Sequence, residues 1–183
     1  MKNFIWQPYG DYLEKSNIRR FMNRHNIQTW QELIRRSTED IEWFWPAALE
    51  DLGVEWFHSY SKLYDDSRGM PWTQWFLDGK INITHNCLDR HILAGKGNKV
   101  ALLWEGDDGS SKRVTCDELY RNVNELATAM KHAGIREGDA VAMCMSISIE
   151  TVIVMFAAMK IGAVCMQIAA RSAPQEVVEL LGK

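Results

Sequence analysis

The 183 residues contain no CxxC pair and no second cluster of metal-ligand types beyond one near position 88. Cys87, Cys116, Cys144 and Cys165 stand singly and far apart, which excludes a disulfide framework and makes reduced thiols in a cytoplasmic protein the expectation. The opening stretch, MKNFIWQPYGDYLEK, lacks the apolar core of a secretory signal. Long apolar runs are missing too. The longest, from Thr151 to Met159, falls well short of the roughly 20 residues a membrane helix needs. Neither sign of charge dominates: 21 basic and 24 acidic side chains give a net charge of −3, with no basic block, which argues against a nucleic-acid partner. There is no internal repeat and no low-complexity segment.

Short catalytic motifs are equally scarce. Gly95-Lys96-Gly97 has no third glycine and comes before a strand, whereas a dinucleotide fingerprint follows one. Gly182-Lys183 has no glycine five residues earlier, so it is no Walker loop. GxSxG and HExxH are absent.

What is present is a globular balance, 46% hydrophobic and 25% charged, in a chain long enough for a real core. Of the eight tryptophans only Trp104 lies beyond position 75. The expectation is an aromatic layer packed on a larger body. The first half reads as helices. Ser16 caps a segment from Asn17 to about His25. Thr29 and Glu32 form a capping box for a helix ending near Arg36. Ser37 or Thr38 caps the next, with Ile41, Phe44, Trp45, Ala48 and Leu49 at helical spacing and Pro46 inside. From Trp56 to Asp89 no clear period appears, and an extended arm is expected.

The second half alternates strands and helices. Val100–Glu105 and Arg113–Thr115 are strands around a Gly/Asp/Ser turn. Thr115 and Glu118 form another capping box, opening a helix that Gly134 ends. Ala140–Met145 and Ala163–Ile168 read as strands covered on both faces. Between them lies a helix capped by Ser146 or Ser148, and Pro174 opens a last helix. This order predicts βαβ units and a parallel sheet.

The densest polar group is Thr84-His85-Asn86-Cys87-Leu88-Asp89-Arg90-His91. Cys87 and His91 share a helix face at spacing four. Zinc requires a second ligand cluster, and a Cys-His nucleophile requires an orienting group and a pocket. The expectation is therefore structural: Asp89, Arg90 and His91 tie the N-terminal region to the α/β part through hydrogen bonds and an ion pair. No catalytic residue and no metal ligand is assigned.

Several of these segments, in this order, resemble AMP-forming acetyl-CoA synthetases of the adenylate-forming family. They are Trp75–Asn82, Asn86-Cys87-Leu88-Asp89-Arg90-His91, Val100–Asp108, Val114–Leu119, Gly134–Asp139 and Ile161–Val164. The resemblance implies an α/β fold: a helical N-terminal extension over residues 1–95, then the first βαβ units of an incomplete parallel-sheet AMP-binding domain over 96–183. It implies a ligase that joins a short carboxylate to CoA through an acyl-adenylate, using ATP and Mg²⁺. The family's phosphate loop, ribose-binding acid and catalytic lysine match nothing in these residues. The isolated chain is therefore expected to bind no cofactor and to be inactive.

Within the matched region the sequence departs twice from the family. Ser146-Ile147-Ser148-Ile149-Glu150 replaces a run with two prolines. Ala170-Arg171-Ser172-Ala173 replaces a Gly-Gly-Phe-Ser turn at the CoA channel, removing the positive-φ freedom of both glycines. By resemblance Ala170, Arg171 and Ser172 form that loop, and Arg171 is either a phosphate contact or a solvated side chain. Two functions remain open: part of a working synthetase, whose remaining sequence or a protein partner supplies the chemistry, or a non-catalytic stand-alone paralogue serving as an interaction module. Alone, the chain is expected to be marginally stable, to oligomerise or to need a partner, because its last strand lacks cover.

Overall fold

The computed structural model describes residues 6–182. By their internal contacts these fall into two compact units, one holding the residues up to 55 together with 60–78, the other 56–59 with the residues from 79 onward.

The first unit opens with α1 (Asp11–Glu14), α2 (Asn17–Arg24), α3 (Trp30–Glu39) and α4 (Ile41–Asp51). Ser16 caps α2 by accepting the Arg19 N–H at 3.1 Å. Thr29 caps α3, accepting the Glu32 N–H at 3.1 Å. The Glu32 carboxylate reaches one residue further back than expected, to the Gln28 N–H at 3.0 Å. The expected cap at Ser37 or Thr38 is not formed. Both hydroxyls donate back to the Ile34 carbonyl inside α3, and Asp40 caps α4 instead, accepting the Trp43 N–H at 3.1 Å. Asp is as good an N-cap as Ser or Thr, and here it alone holds extended-side backbone at the break. Phe21, Met22, Ile27 and Leu33 are buried among these helices, with Trp43, Phe44, Ala47 and Ala48 packed against them. Trp6, Trp30 and Trp72 are more than half exposed, at 61%, 52% and 64%, so the tryptophans do not all form a buried layer.

The stretch expected to be irregular contains an antiparallel pair, β1 (Lys62–Asp65) and β2 (Gln74–Leu77), with Tyr64 opposite Trp75. Their ring centroids lie 5.5 Å apart, and Trp45 stacks edge-on against Trp75 at 6.0 Å. Cross-strand aromatic contact of this kind stabilises strands too short to show a period.

The second unit contains a single π-helical turn at His85–Asp89, then α5 (Arg90–Leu93), β3 (Val100–Glu105), β4 (Ser111–Thr115), α6 (Cys116–His132), β5 (Ala140–Met145), α7 (Ile149–Lys160), β6 (Val164–Ala169) and α8 (Pro174–Leu181). β3 and β4 form an antiparallel hairpin with its own two-stranded sheet, and β5 and β6 pair in parallel across α7. The parallel βαβ arrangement is thus one unit, and the hairpin stands apart from it. Leu88, Leu119, Val123, Ala127, Ala157 and Ala158 make the core between α6, α7 and the π turn. β5 and β6 are not covered on both faces as their composition suggested: Ala140, Ala142, Cys144 and Val164 are exposed.

The capping box at α6 is complete. Thr115 Oγ1 accepts the Glu118 N–H at 3.2 Å and the Glu118 carboxylate accepts the Thr115 N–H at 2.8 Å. Gly134, at φ 98°, ends α6 in a conformation open only to glycine at low cost. Gly97 is buried against the start of the same helix, where a β-carbon would lie 2.2 Å from the Asp117 carboxylate. The Asp117 and Cys116 N–H groups donate to Gly97 and Lys99 carbonyls at 3.0 and 2.8 Å.

Leu119, 2% exposed in this core, gives a direct test. Leu119→Ala is expected to cost about 2–5 kcal/mol in urea unfolding. The Glu118 carboxyl is held below its ordinary value of 4.5 by the Thr115 N–H and then the Thr115 hydroxyl. A lowered folded pKa contributes stability above the unfolded pKa that is lost as pH falls through the folded one. The stability gap between the wild type and Glu118→Gln is therefore expected to be widest near neutral pH and to close below about pH 4.5, measured by urea titration at a series of pH values.

Candidate functional site

Parallel pairing of β5 with β6 places Met145 opposite Ala169. The loops that follow, 146–148 and 170–172, therefore leave from one carboxyl edge, where open α/β sheets place their ligands. In the first loop the Ser148 hydroxyl caps α7, accepting the Thr151 N–H at 3.3 Å, and Thr151 Oγ1 donates to the Ser146 carbonyl at 2.6 Å. Trp104 Nε1 donates to the Ile147 carbonyl at 3.3 Å, while the Ile147 side chain is 92% exposed. Lys112 Nζ lies 5.7 Å from the centre of the Trp104 ring. The Glu150 carboxyl is held below its ordinary value by its own backbone N–H and then by the Ser148 hydroxyl, with Lys112 adding a smaller attraction.

In the second loop the Ser172 N–H returns to the Ala169 carbonyl at 2.9 Å. Ala170 and Arg171 are exposed and Ser172 is half-buried. None of the three takes a positive φ, so the turn is made without the backbone freedom two glycines would give. The Ala173 N–H donates to Glu176 at 3.1 Å as Pro174 opens α8.

The polar cluster picked out in the sequence lies at the other end of α7, some 12 residues away, or about 18 Å of helix. Asn86 donates through its side-chain amide to the Asn82 carbonyl at 3.3 Å. Cys87 is exposed, and Leu88 turns into the core. Asp89 accepts two hydrogen bonds from Lys160 Nζ, at 2.9 and 2.7 Å, and both side chains are less than a quarter exposed. Arg90 and His91 lie on α5, and the His91 carbonyl accepts the Lys96 N–H at 2.9 Å.

Two residues of this arrangement, Asn82 and Lys160, lie outside the sequence cluster, and Thr84 stands at its start without a role assigned to it. Asn82 Nδ2 donates to the Met159 and Lys160 carbonyls at 3.1 and 3.2 Å. Thr84, fully buried, donates to the Phe156 carbonyl at 2.8 Å. Lys160 supplies the cation and sits 5.1 Å from the Tyr120 ring centre. The Asn82 amide serves the Lys160 carbonyl at the end of α7 and adds a second bond at Met159, whose carbonyl also accepts the Gly162 N–H at 3.1 Å, and Lys160 places a positive charge where the helix dipole favours one. The only sequence hint is a lysine in a last helical turn ahead of Gly162.

Among the described residues no three His, Cys, Asp or Glu side chains gather as metal ligands. All four cysteines are free thiols, and burial pushes the Cys165 thiol above its ordinary value. Cavities of about 260 and 630 Å³ lie in the first unit, by Phe21, Leu33 and Phe44 and by Trp6, Tyr12 and Arg19 respectively. Neither is lined by a residue of the loops or of the polar cluster.

Comparison with known proteins gives consistent results. Residues 89–183 match a family described as AMP-binding enzyme, and residues 30–87 match one described as acetyl-coenzyme A synthetase N-terminus. An acetyl-coenzyme A synthetase of Thiobacillus denitrificans is 41% identical over 160 residues, 87% of this chain and 23% of that protein. The Ralstonia nicotianae enzyme of that name is 36% identical over 159 residues, again 87% and 23%. The chain spans under a quarter of the length of these relatives. The solved acetoacetyl-CoA synthetase from Streptomyces lividans superposes on 97% of the chain with a TM-score of 0.87 and 26% identity, using 28% of its own length.

The partly buried Asp89–Lys160 pair is expected to show a coupling of about 1 kcal/mol, above the usual surface pair. A double-mutant cycle of Asp89→Asn and Lys160→Met, read by urea unfolding, measures it.

Proposed function

The chain belongs to the AMP-binding enzyme family, and from that premise we propose that it forms the opening portion of an acetyl-CoA synthetase-like ligase. The carrying observation is the run of two matches along the chain, synthetase N-terminus then AMP-binding enzyme, with a superposition that covers 97% of it. In the proposed reaction a short carboxylate attacks the α-phosphate of ATP and pyrophosphate leaves. The CoA thiol then attacks the acyl carbonyl, and AMP leaves. Mg²⁺ and cationic groups must neutralise phosphate charge during the first step. No catalytic role is assigned to these residues, and their proposed role is to build the sheet edge from which loops 146–148 and 170–172 project, with Arg171 as the one cation in them. Residues 1–95 are the synthetase-type extension and 96–183 the start of the AMP-binding domain. The proposed setting is cytoplasmic, with small-molecule substrates and no nucleic acid. Among the described residues no helix is long and apolar enough to cross a membrane.

A second reading is favoured by the two loops. Neither the double proline of the first nor the double glycine of the second is present in Ser146–Glu150 and Ala170–Ala173. A non-catalytic paralogue acting as an interaction module would tolerate both losses.

The purified 183-residue chain is expected to release no AMP from ATP with acetate, Mg²⁺ and CoA. Sustained release dependent on acid and CoA overturns that expectation. Affinity recovery of the chain from its native cells, with intact masses, separates the two readings. A longer product, or a partner bearing the phosphate loop and catalytic lysine, supports the ligase; the 21.1 kDa chain without either supports the module.

A further inference from the structure

The larger cavity of the first unit, about 630 Å³, falls in the size range of small-molecule sites. Trp6, Tyr12 and Trp30 line it, and all three rings are more than half exposed. The Trp6 and Tyr12 rings meet edge-on with centroids 6.2 Å apart. Trp30 is the first residue of α3, carried there by the Thr29 cap. Gln28 and Gln31 add amides to the wall. Aromatic surface with a few polar groups is the usual make-up of a small-molecule site.

Arg19 is the only charged residue on this wall. It is one of five arginines on α2 and α3, and the other four are engaged. Arg20 bonds Asn17, Arg24 pairs with Asp51, Arg35 pairs with Glu39, and Arg36 lies over the Trp43 ring. Among the described residues the Arg19 side chain has no such partner, and its Nε is buried without a hydrogen bond. A half-buried guanidinium left unmatched is costly. An anion in the cavity offsets that cost. The planar fork of arginine matches a carboxylate. A phosphate monoester, with close to two negative charges, calls for a second cation, and the wall has none. The three rings favour a flat aromatic body behind the anionic group, since aromatic pairs gain beyond the area they bury.

We propose that this cavity binds a planar aromatic carboxylate, its carboxylate on Arg19 and its ring among Trp6, Tyr12 and Trp30. The inference rests on this cavity alone and not on the ligase reading.

Isothermal titration of the 183-residue chain with naphthoate tests it. Saturable binding with a Kd below about 1 mM is expected. Naphthamide keeps the ring and loses the charge, and acetate keeps the charge and loses the ring. Each is expected to bind at least about tenfold more weakly than naphthoate. Arg19→Gln is expected to raise the naphthoate Kd at least about tenfold with unchanged circular dichroism, and Trp6→Leu to raise it as well. Arg35→Gln removes the same charge from an exposed position on α3 and is expected to bind like the wild type. Absence of saturable binding up to about 5 mM naphthoate overturns the proposal, as does an Arg19→Gln chain that binds like the wild type. Equal binding of naphthamide and naphthoate to the wild type also overturns it, and that comparison decides the matter even where Arg19→Gln fails to fold. Absence of AMP release bears on the ligase reading and leaves this site untouched.

Discussion

The last turn of α7 is where the second unit is fastened. Its Ala157, Ala158 and Met159 carbonyls accept the N–H groups of Ile161, Ala163 and Gly162, and side chains from elsewhere add donors to the Phe156, Met159 and Lys160 carbonyls. Asn82 and Thr84 reach them from a segment more than 70 residues earlier. Lys160 at the same turn pairs with Asp89. One short stretch thereby adds donors at a helix end, neutralises a partly buried charge and drives Leu88 into the core. The π-helical turn at His85–Asp89 accommodates these demands together, since an extra residue in the turn lets Leu88 and Asp89 face different neighbours.

This fastening explains which parts of the molecule were legible in the sequence. Elements set by local chemistry were readable: the Ser16 and Thr29 caps, the Thr115–Glu118 box and the parallel pair on either side of α7 all depend on residues within four positions of each other or on an unbroken apolar run. The break between α3 and α4 was misplaced because three adjacent candidates, Ser37, Thr38 and Asp40, compete for it. Hydroxyls that bond back to Ile34 are as content inside a helix as at its start. β1 and β2 were missed because four-residue strands have too few positions to show alternation, and their stability comes from rings contributed across the pair. The burial of β5 and β6 was overstated, since composition records what a strand tolerates and not what is laid over it.

The candidate site followed the same division. Asp89 was visible as a member of a polar cluster, yet its partner Lys160 was not, because the pairing spans 71 positions and no local pattern encodes it. Loop 170–172 was placed through family resemblance. The structure shows a turn closed by the Ser172 N–H onto the Ala169 carbonyl without a positive φ. Its neighbour 146–148 is held from two directions, by Thr151 and by the Trp104 indole. Both loops at the sheet edge are therefore tied down by bonds to their own backbone.

Gly97 lies against the start of α6. Its bare α-carbon lies where the Asp117 carboxylate leaves no room for another carbon, and the backbone on either side bonds the first residues of α6. As the side chains lie, the space beside Gly97 is filled by that carboxylate. A methyl group there would have to displace the exposed Asp117 carboxylate. An absent side chain at 97 thus decides where the Asp117 carboxylate can rest, which no count of favourable contacts would reveal.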